Sequence, residues 1–152
     1  MSKSLARFLE PATIKLSIDA KKKPAIIHEL VEALGNSQRV GDVDKIEALI
    51  LEREALATTG IGGGIAIPHC LSEEVNETVM GFGRRVPGAK FDAVDRQPVQ
   101  LFFVIVGPVG AHNEHLRLLS KLSRHLHDSD FRAGLLAAPT PEAVIDLFKE
   151  KA

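Results

Sequence analysis

The chain has 152 residues, of which 45% are hydrophobic and 26% charged, and its formal net charge is −1. These values exclude a wholly disordered chain, and the missing basic excess excludes a general nucleic-acid binder. Cys70 is the only cysteine, so no internal disulfide can form and a reducing cytoplasm is the expected compartment.

The length predicts one domain over residues 1–152, large enough to bury a core without staples. At the N-terminus, "MSKSLARFLEPATIKL" has no signal-like apolar core. No apolar run approaches the ~20 residues of a membrane span, so a cytoplasmic protein without membrane insertion is expected. "TIKLSID" (13–19) alternates with period two and predicts a first strand. Lys21-Lys22-Lys23 reads as the solvated start of a helix, "KPAIIHELVEAL". Ile26, Ile27, Leu30, Val31 and Leu34 fall on one face of it, and Gly35-Asn36 supplies the stop. "DVDKIEALILEREAL" predicts a second helix capped by Asp42, with Val43, Ile46, Leu49 and Ile50 buried and its end near Arg53. "IAIPH" and "ETVMGFGRR" read as strands. So does "PVQLFFVIVG" (98–107), whose unbroken apolar run suits a strand covered on both faces. Between the last two lies the turn-rich "VPGAKFDAVDRQP". "EHLRLLSKLSRHL" predicts an amphipathic helix with Leu116, Leu119, Leu122 and Leu126 as its stripe. "DFRAGLLAA" gives a short helix, and "TPEAVIDLFKEK" a last one with Thr140 as cap and Pro141 in its first position. Helices before and after a central group of strands predict a three-layer α/β sandwich, a mixed sheet with helices on both faces.

Within this pattern "TTGIGGGIAIPHC" (58–70) stands out: four glycines in five residues, a short apolar run, then a proline that delivers His69. The segment lacks the Gly-Lys-Ser/Thr ending of a P-loop, and Ile65 stands where the dinucleotide fingerprint needs its third glycine. What remains is a glycine loop whose amides can approach an anion, followed by a strand that ends on a stiffened Pro68-His69. Read alone, a histidine at a strand end is more often structural than functional. In "AHNEHLRLL", His112 and His115 are three apart at a helix start, where they share a face and where free amides favour an anion. His125 and His127, at the far end of that helix, read as surface residues, as does His28.

Two chemistries use a fixed histidine with a second one nearby. A metal site could draw on His69, Cys70, His112 and His115. However, "HNEHL" is not His-Glu-x-x-His, and strand neighbours such as His69 and Cys70 point to opposite faces. Alternatively His69 is a nucleophile for a phosphoryl group. Its unperturbed pKa of ~6.5 leaves neutral imidazole abundant at pH 7. Phosphoryl transfer then needs in-line positioning and donors on the equatorial oxygens, each worth roughly 3–4 kcal/mol.

The segments "LEREALATTGIGGGIAIPH", "FDAVDRQPVQLFFVIVGP" and "HNEHLRLLSKLSRHL", in that order, resemble the enzyme IIA domains of the bacterial phosphoenolpyruvate:sugar phosphotransferase system. The class is the fructose/mannitol and nitrogen-regulatory one, and the likeness covers nearly the whole chain. The resemblance implies an α/β sandwich and no cofactor. It implies that His69 is phosphorylated by the phosphohistidine of a carrier such as HPr or its nitrogen-branch counterpart. It also implies that His115 assists and that Arg53 compensates phosphate charge. Thr59, Gly60, Gly62, Gly63 and Gly64 match the surrounding phosphate shell. Three features depart from the family pattern: Cys70 after the active histidine, His112 without a matched role, and the acidic Glu73 and Glu74. The absence of a fused IIB, HPr or membrane segment favours, as an expectation, a regulatory nitrogen-type role acting on targets such as kinases and transporters. A sugar-specific IIA feeding a IIB permease domain is the alternative. A phosphorylation-independent binding module and a zinc protein are the readings of other classes.

Overall fold

The computed structural model describes residues 4–151. Two 3-10 turns, Leu5–Phe8 and Pro11–Thr13, lead into strand β1 (Ile14–Lys15). This strand is far shorter than the alternation of "TIKLSID" suggests. Thr13 turns its hydroxyl onto the Glu10 and Met80 carbonyls and stays in the preceding turn. Beyond Lys15 the chain keeps contact with its neighbour through the Ile18 N–H to Arg84 carbonyl bond (2.8 Å).

Helix α1 (Lys23–Leu34) buries Ile26, Ile27, Leu30, Val31 and Leu34 as its spacing predicts. Its stop is not a left-handed glycine, because Gly35 keeps φ −63°. A Cβ at Gly35 would instead meet Val43 Cγ1 at 2.8 Å, so the missing side chain lets the two helices close up. Helix α2 (Val43–Leu56) starts at Asp42, whose carboxylate accepts the Asp44 N–H at 3.0 Å. Ile46 and Ile50 are buried, whereas Leu49 is 37% exposed and Val43 is only half-buried. The helix runs almost a turn past Arg53.

The remaining elements are β2 (Gly60–Gly62), β3 (Ile65–Ala66), β4 (His69–Ser72), β5 (Val79–Ala89), β6 (Val99–Pro108), α3 (His112–Leu126), α4 (Ser129–Ala137) and α5 (Pro141–Glu150). The strands form one mixed sheet in the order β1-β5-β6-β3-β2, with β4 also on β6. β5 and β6 pair antiparallel, while β1 lies parallel to β5, and both β3 and β4 lie parallel to β6. The stretch "IAIPH" is therefore not one strand. Ile65 and Ala66 pair with Leu101 and Phe102, the ladder breaks at Ile67-Pro68, and pairing resumes at His69 opposite Ile105. His69 begins a strand instead of ending one. The glycine segment, expected as a loop, contributes β2 and folds back antiparallel onto β3 as a hairpin. The first four residues of the predicted turn, "VPGA" (86–89), belong to the end of β5, past a register shift between Arg84 and Ala89.

Alternation along β6 builds two cores. Leu101, Phe103 and Ile105 pack with Leu118, Leu122, Leu126, Phe131 and Phe148 of α3, α4 and α5. Phe102, Val104 and Val106 pack on the other face with Ile26, Ile27, Ile46 and Ile50 of α1 and α2. The sheet is thus covered on both sides, the three-layer α/β arrangement that the element order predicts. The stripe on α3 differs from the expected one: His115, Leu118, Leu122 and Leu126 are buried, and Leu116 is 50% exposed. α5 begins as predicted, with Thr140 Oγ1 accepting the Ala143 N–H and Pro141 in the first position. The Arg84 guanidinium ties the layers together by donating to the carbonyls of Leu16, Leu135 and Ala138.

Candidate active site

His69 owes its setting to the break before it. Where the ladder stops at Ile67-Pro68, the Ile67 carbonyl lies 2.7 Å from His69 Nδ1. A carbonyl only accepts, so Nδ1 carries the proton and Nε2 keeps its lone pair. Burial lowers the His69 pKa and the Arg53 charge lowers it further; the Ile67 hydrogen bond and the Glu54 charge oppose them without reversing the direction. The half-buried ring is therefore a neutral imidazole at neutral pH, with a defined tautomer.

His115 comes from the first turn of α3 and faces it, the ring centroids 5.3 Å apart and tilted by 52°. It is 5% exposed, and neither ring nitrogen has a hydrogen-bond partner. Burial pushes its pKa down to about 4, with the His69 and His112 rings adding to the effect. Leaving such a group unpaired costs about 1–3 kcal/mol. Space for it is made by Gly107, opposite Leu71 in the sheet, where a Cβ would stand 3.0 Å from His115 Nδ1. Ala111 precedes α3 and offers no side-chain cap, so the first-turn amides and the positive end of the helix stay open to an anion.

On α2, half-buried Arg53 donates from Nη1 to the Ala57 carbonyl at 3.1 Å, and its charge is felt at His69. Its neighbour Glu54 is 7% exposed. Glu54 Oε1 accepts the Thr59 N–H (2.8 Å) and hydroxyl (3.1 Å) and pairs with Lys23 Nζ at 2.9 Å. Both donors of Thr59 are thus taken by Glu54 in this structure.

The glycines are likewise engaged within the fold. Gly62, Gly63 and Gly64 have φ of +96°, +67° and +80°, the left-handed region where other residues are strained, and they form the tip of the β2–β3 hairpin. Asp95 Oδ2 accepts the Gly63 N–H at 3.0 Å, and the Gly64 carbonyl accepts from Gln100 and Leu101. From Gly64 the extended chain covers roughly 16 Å before reaching His69, at ~3.3 Å per residue. The tip shares a cleft with Ser123, Leu126 and His127 at the end of α3, whereas His115 sits at that helix's start. Gly60, nearer the histidines, gives its N–H to Thr58 Oγ1 at 3.0 Å. Of the predicted set, His69 and His115 are brought into ring contact with Arg53 near them. The hairpin glycines are not.

Other expectations resolve locally. Cys70 points into the opposite core, and burial pushes its thiol up to about 12. Among the described residues, no three His, Cys, Asp or Glu side chains gather as a metal site would require. His112 is the exposed first residue of α3. His127 is exposed, but His125 is half-buried against Phe131 with Nε2 unpartnered, so the surface reading fails for it. His28 lies at the surface between Glu47 and Glu32. Glu74 accepts the Asp42 N–H at 2.7 Å and serves the start of α2.

Sequence reasoning passed over Glu54 and Gly107. Glu54 continues the four-residue step of Ile46 and Ile50, a charge where the stripe calls for an apolar residue. His115 likewise heads the stripe of Leu118, Leu122 and Leu126. A polar residue on an apolar face is the signal that marks both.

Comparison with known proteins places these features in context. Residues 7–151 match the family model described as "Phosphoenolpyruvate-dependent sugar phosphotransferase system, EIIA 2". The chain is 38% identical over 146 residues to the fructose-specific EIIABC component of Bacillus subtilis, covering 96% of this chain but only 23% of that larger protein. It is 38% identical over 137 residues to the fructose-specific EIIA component of Haloferax volcanii (90% of this chain, 89% of that one). Identity to the nitrogen regulatory protein of Pseudomonas aeruginosa is 31% over 143 residues (94% and 93%). Among solved structures, nitrogen regulatory protein IIA-Ntr from Neisseria meningitidis superposes with a TM-score of 0.86 at 29% identity, covering 95% of this chain and 98% of that one.

Proposed function

Since the chain belongs to the EIIA 2 family of the phosphoenolpyruvate-dependent sugar phosphotransferase system, we propose that it is a phosphohistidine carrier in which His69 Nε2 accepts the phosphoryl group. The observation that carries this reading is the 2.7 Å contact of His69 Nδ1 with the Ile67 carbonyl, which leaves the Nε2 lone pair free beside His115. The donor is the phosphohistidine of an HPr-like carrier. Its P–N bond breaks with the electron pair returning to the donor ring as the Nε2–P bond forms. The positive charge that develops on the His69 ring is shared with the Ile67 carbonyl through Nδ1–H. Unpartnered His115 gives one ring N–H to the transferring group, Arg53 turns from Ala57 to its charge, and the open first turn of α3 supplies amides. Exposed Leu56 on α2, Val109 in the turn before α3 and Leu116 at the start of α3 offer apolar area to a docking carrier.

The higher identities, to fructose-specific relatives, favour a IIB domain of a sugar permease as the recipient. The regulatory reading, with kinases or transporters as targets, is favoured by the Neisseria fold match. Either role is performed in the cytoplasm. Among the described residues no helix is long and apolar enough to cross a membrane.

The test is intact mass of the wild type and His69→Ala after incubation with enzyme I, HPr and phosphoenolpyruvate. One acid-labile phosphoryl gain in the wild type only is expected, and a gain that survives in the variant would move the acceptor elsewhere. Adding a fructose-class IIB domain to the phosphorylated protein then separates the recipients. Loss of the group to IIB supports the transport role, and retention supports the regulatory one.

A further inference from the structure

We propose that Glu54 is a positioning residue that fixes the reactive tautomer of His69 through Thr59 and Ile67. The inference rests on the carrier reading above and extends it to a residue one place beyond Arg53.

Four contacts in series make the link. Lys23 Nζ lies 2.9 Å from Glu54 Oε1. That oxygen accepts the Thr59 N–H and hydroxyl. The Thr59 carbonyl in turn accepts the Ile67 N–H at 3.0 Å. The Ile67 carbonyl, on the same residue, receives His69 Nδ1–H at 2.7 Å. Ile67 lies outside both β3 and β4, so the sheet does not set the angle of its carbonyl. The Thr59 bond holds this residue, and Glu54 holds Thr59.

A purely structural role accounts poorly for Glu54. Its other oxygen, Oε2, is buried without a hydrogen-bond partner. A buried carboxylate with one oxygen orphaned contributes little net stability, and an apolar residue would fit the stripe of Ile46 and Ile50 better. The charge also reaches the site. The charged and titratable groups facing His69 are Arg53 and Glu54 from α2 and His115 from α3; Arg53 lowers the His69 pKa and Glu54 raises it. Glu54 thus offsets Arg53 at the ring, so a guanidinium can wait near the nucleophile without withdrawing its electron density.

The experiment measures ring ¹⁵N shifts of His69 by NMR, together with the rate of phosphoryl acceptance against pH, for wild type, Glu54→Ala and Glu54→Gln. Wild type is expected to show Nδ1–H below Nε2 in a single tautomer. Glu54→Ala should give averaged tautomers and acceptance slower by about ten- to a hundred-fold, the usual scale for lost outer-shell support. Glu54→Gln still accepts from Thr59. It should recover the tautomer and most of the rate, with the His69 titration midpoint moved downward because the carboxylate charge is gone. An unchanged tautomer and rate in folded Glu54→Ala would overturn the proposal. Should Glu54→Ala fail to fold, Glu54→Leu, which suits the apolar stripe, takes its place, and a single Nδ1–H tautomer with an unchanged rate in it overturns the proposal. The ring shifts need no phosphoryl donor. A wild type that accepts nothing therefore defeats the carrier reading, while the shifts still decide the case of Glu54.

Discussion

Replacing His115 with leucine tests the physical account of the site most directly. In the folded protein His115 is neutral down to about 4, whereas in the unfolded chain it takes up a proton near the ordinary value of ~6.5. The unfolded state therefore binds more protons between those values, and stability falls as pH drops through that window. With a native value near 4, the loss between about pH 7.5 and about pH 5 is at most about 2 kcal/mol from this one side chain, at 1.36 kcal/mol per unit. His115→Leu removes the titration and also two unpaired buried nitrogens, so it should gain roughly 1–3 kcal/mol at neutral pH. Urea unfolding of both proteins at the two pH values gives the difference directly. The lowered values of His69, His125, Glu10 and Glu29 are shared by both proteins and cancel to first order. The gap should widen on acidification while phosphoryl acceptance collapses in the variant. Parallel decline of the two proteins with pH would refute the reasoning.

Three further outcomes are expected. Gly107→Ala brings a Cβ to 3.0 Å from His115 Nδ1 and 3.1 Å from Leu71 Cδ2; it should displace His115 and slow acceptance at least tenfold with the fold retained, as read by transfer kinetics and circular dichroism. Gly63→Ala adds a Cβ with nothing within 4 Å but at φ +67°, so it should cost about 1 kcal/mol in a thermal melt and leave the acceptance rate unchanged, whereas a phosphate-cradling loop predicts a large rate loss. Arg53→Lys keeps the charge and loses the planar fork, and is expected to restore part of the transfer rate lost in Arg53→Ala, with Tm close to wild type in both.

The layers were legible because burial writes itself into spacing: Ile26 through Leu34 on α1 and the unbroken run of β6 needed no long-range information. The histidine pair was legible by motif. What the sequence hid were the choices made by backbone geometry. "TTGIGGGIAIPH" is contiguous in the chain, yet an extended chain carries its hairpin glycines away from its histidine, a separation that adjacency in sequence does not reveal. The seven-residue alternation of "TIKLSID" was cut to two residues: Thr13 stays in the preceding turn, and past Lys15 the Ile18 N–H returns to the Arg84 carbonyl. Which ring nitrogen of His69 stays bare depends on a carbonyl two residues back, left out of the sheet at Pro68, and no side-chain pattern records it. Glu54 and His115 were visible as polar residues on apolar stripes, a signal that a search for leucines passes over.

The distance between hairpin tip and histidine pair has a practical use. Ile61, on the outer limb of that hairpin, is 46% exposed, while the native thiol of Cys70 is buried and pushed up to about 12. A cysteine placed at position 61 would therefore be the one thiol that reacts with a maleimide dye at neutral pH. The dye would ride at the far end of α3 from the reactive ring, clear of a docking carrier, and its anisotropy would report each encounter in real time.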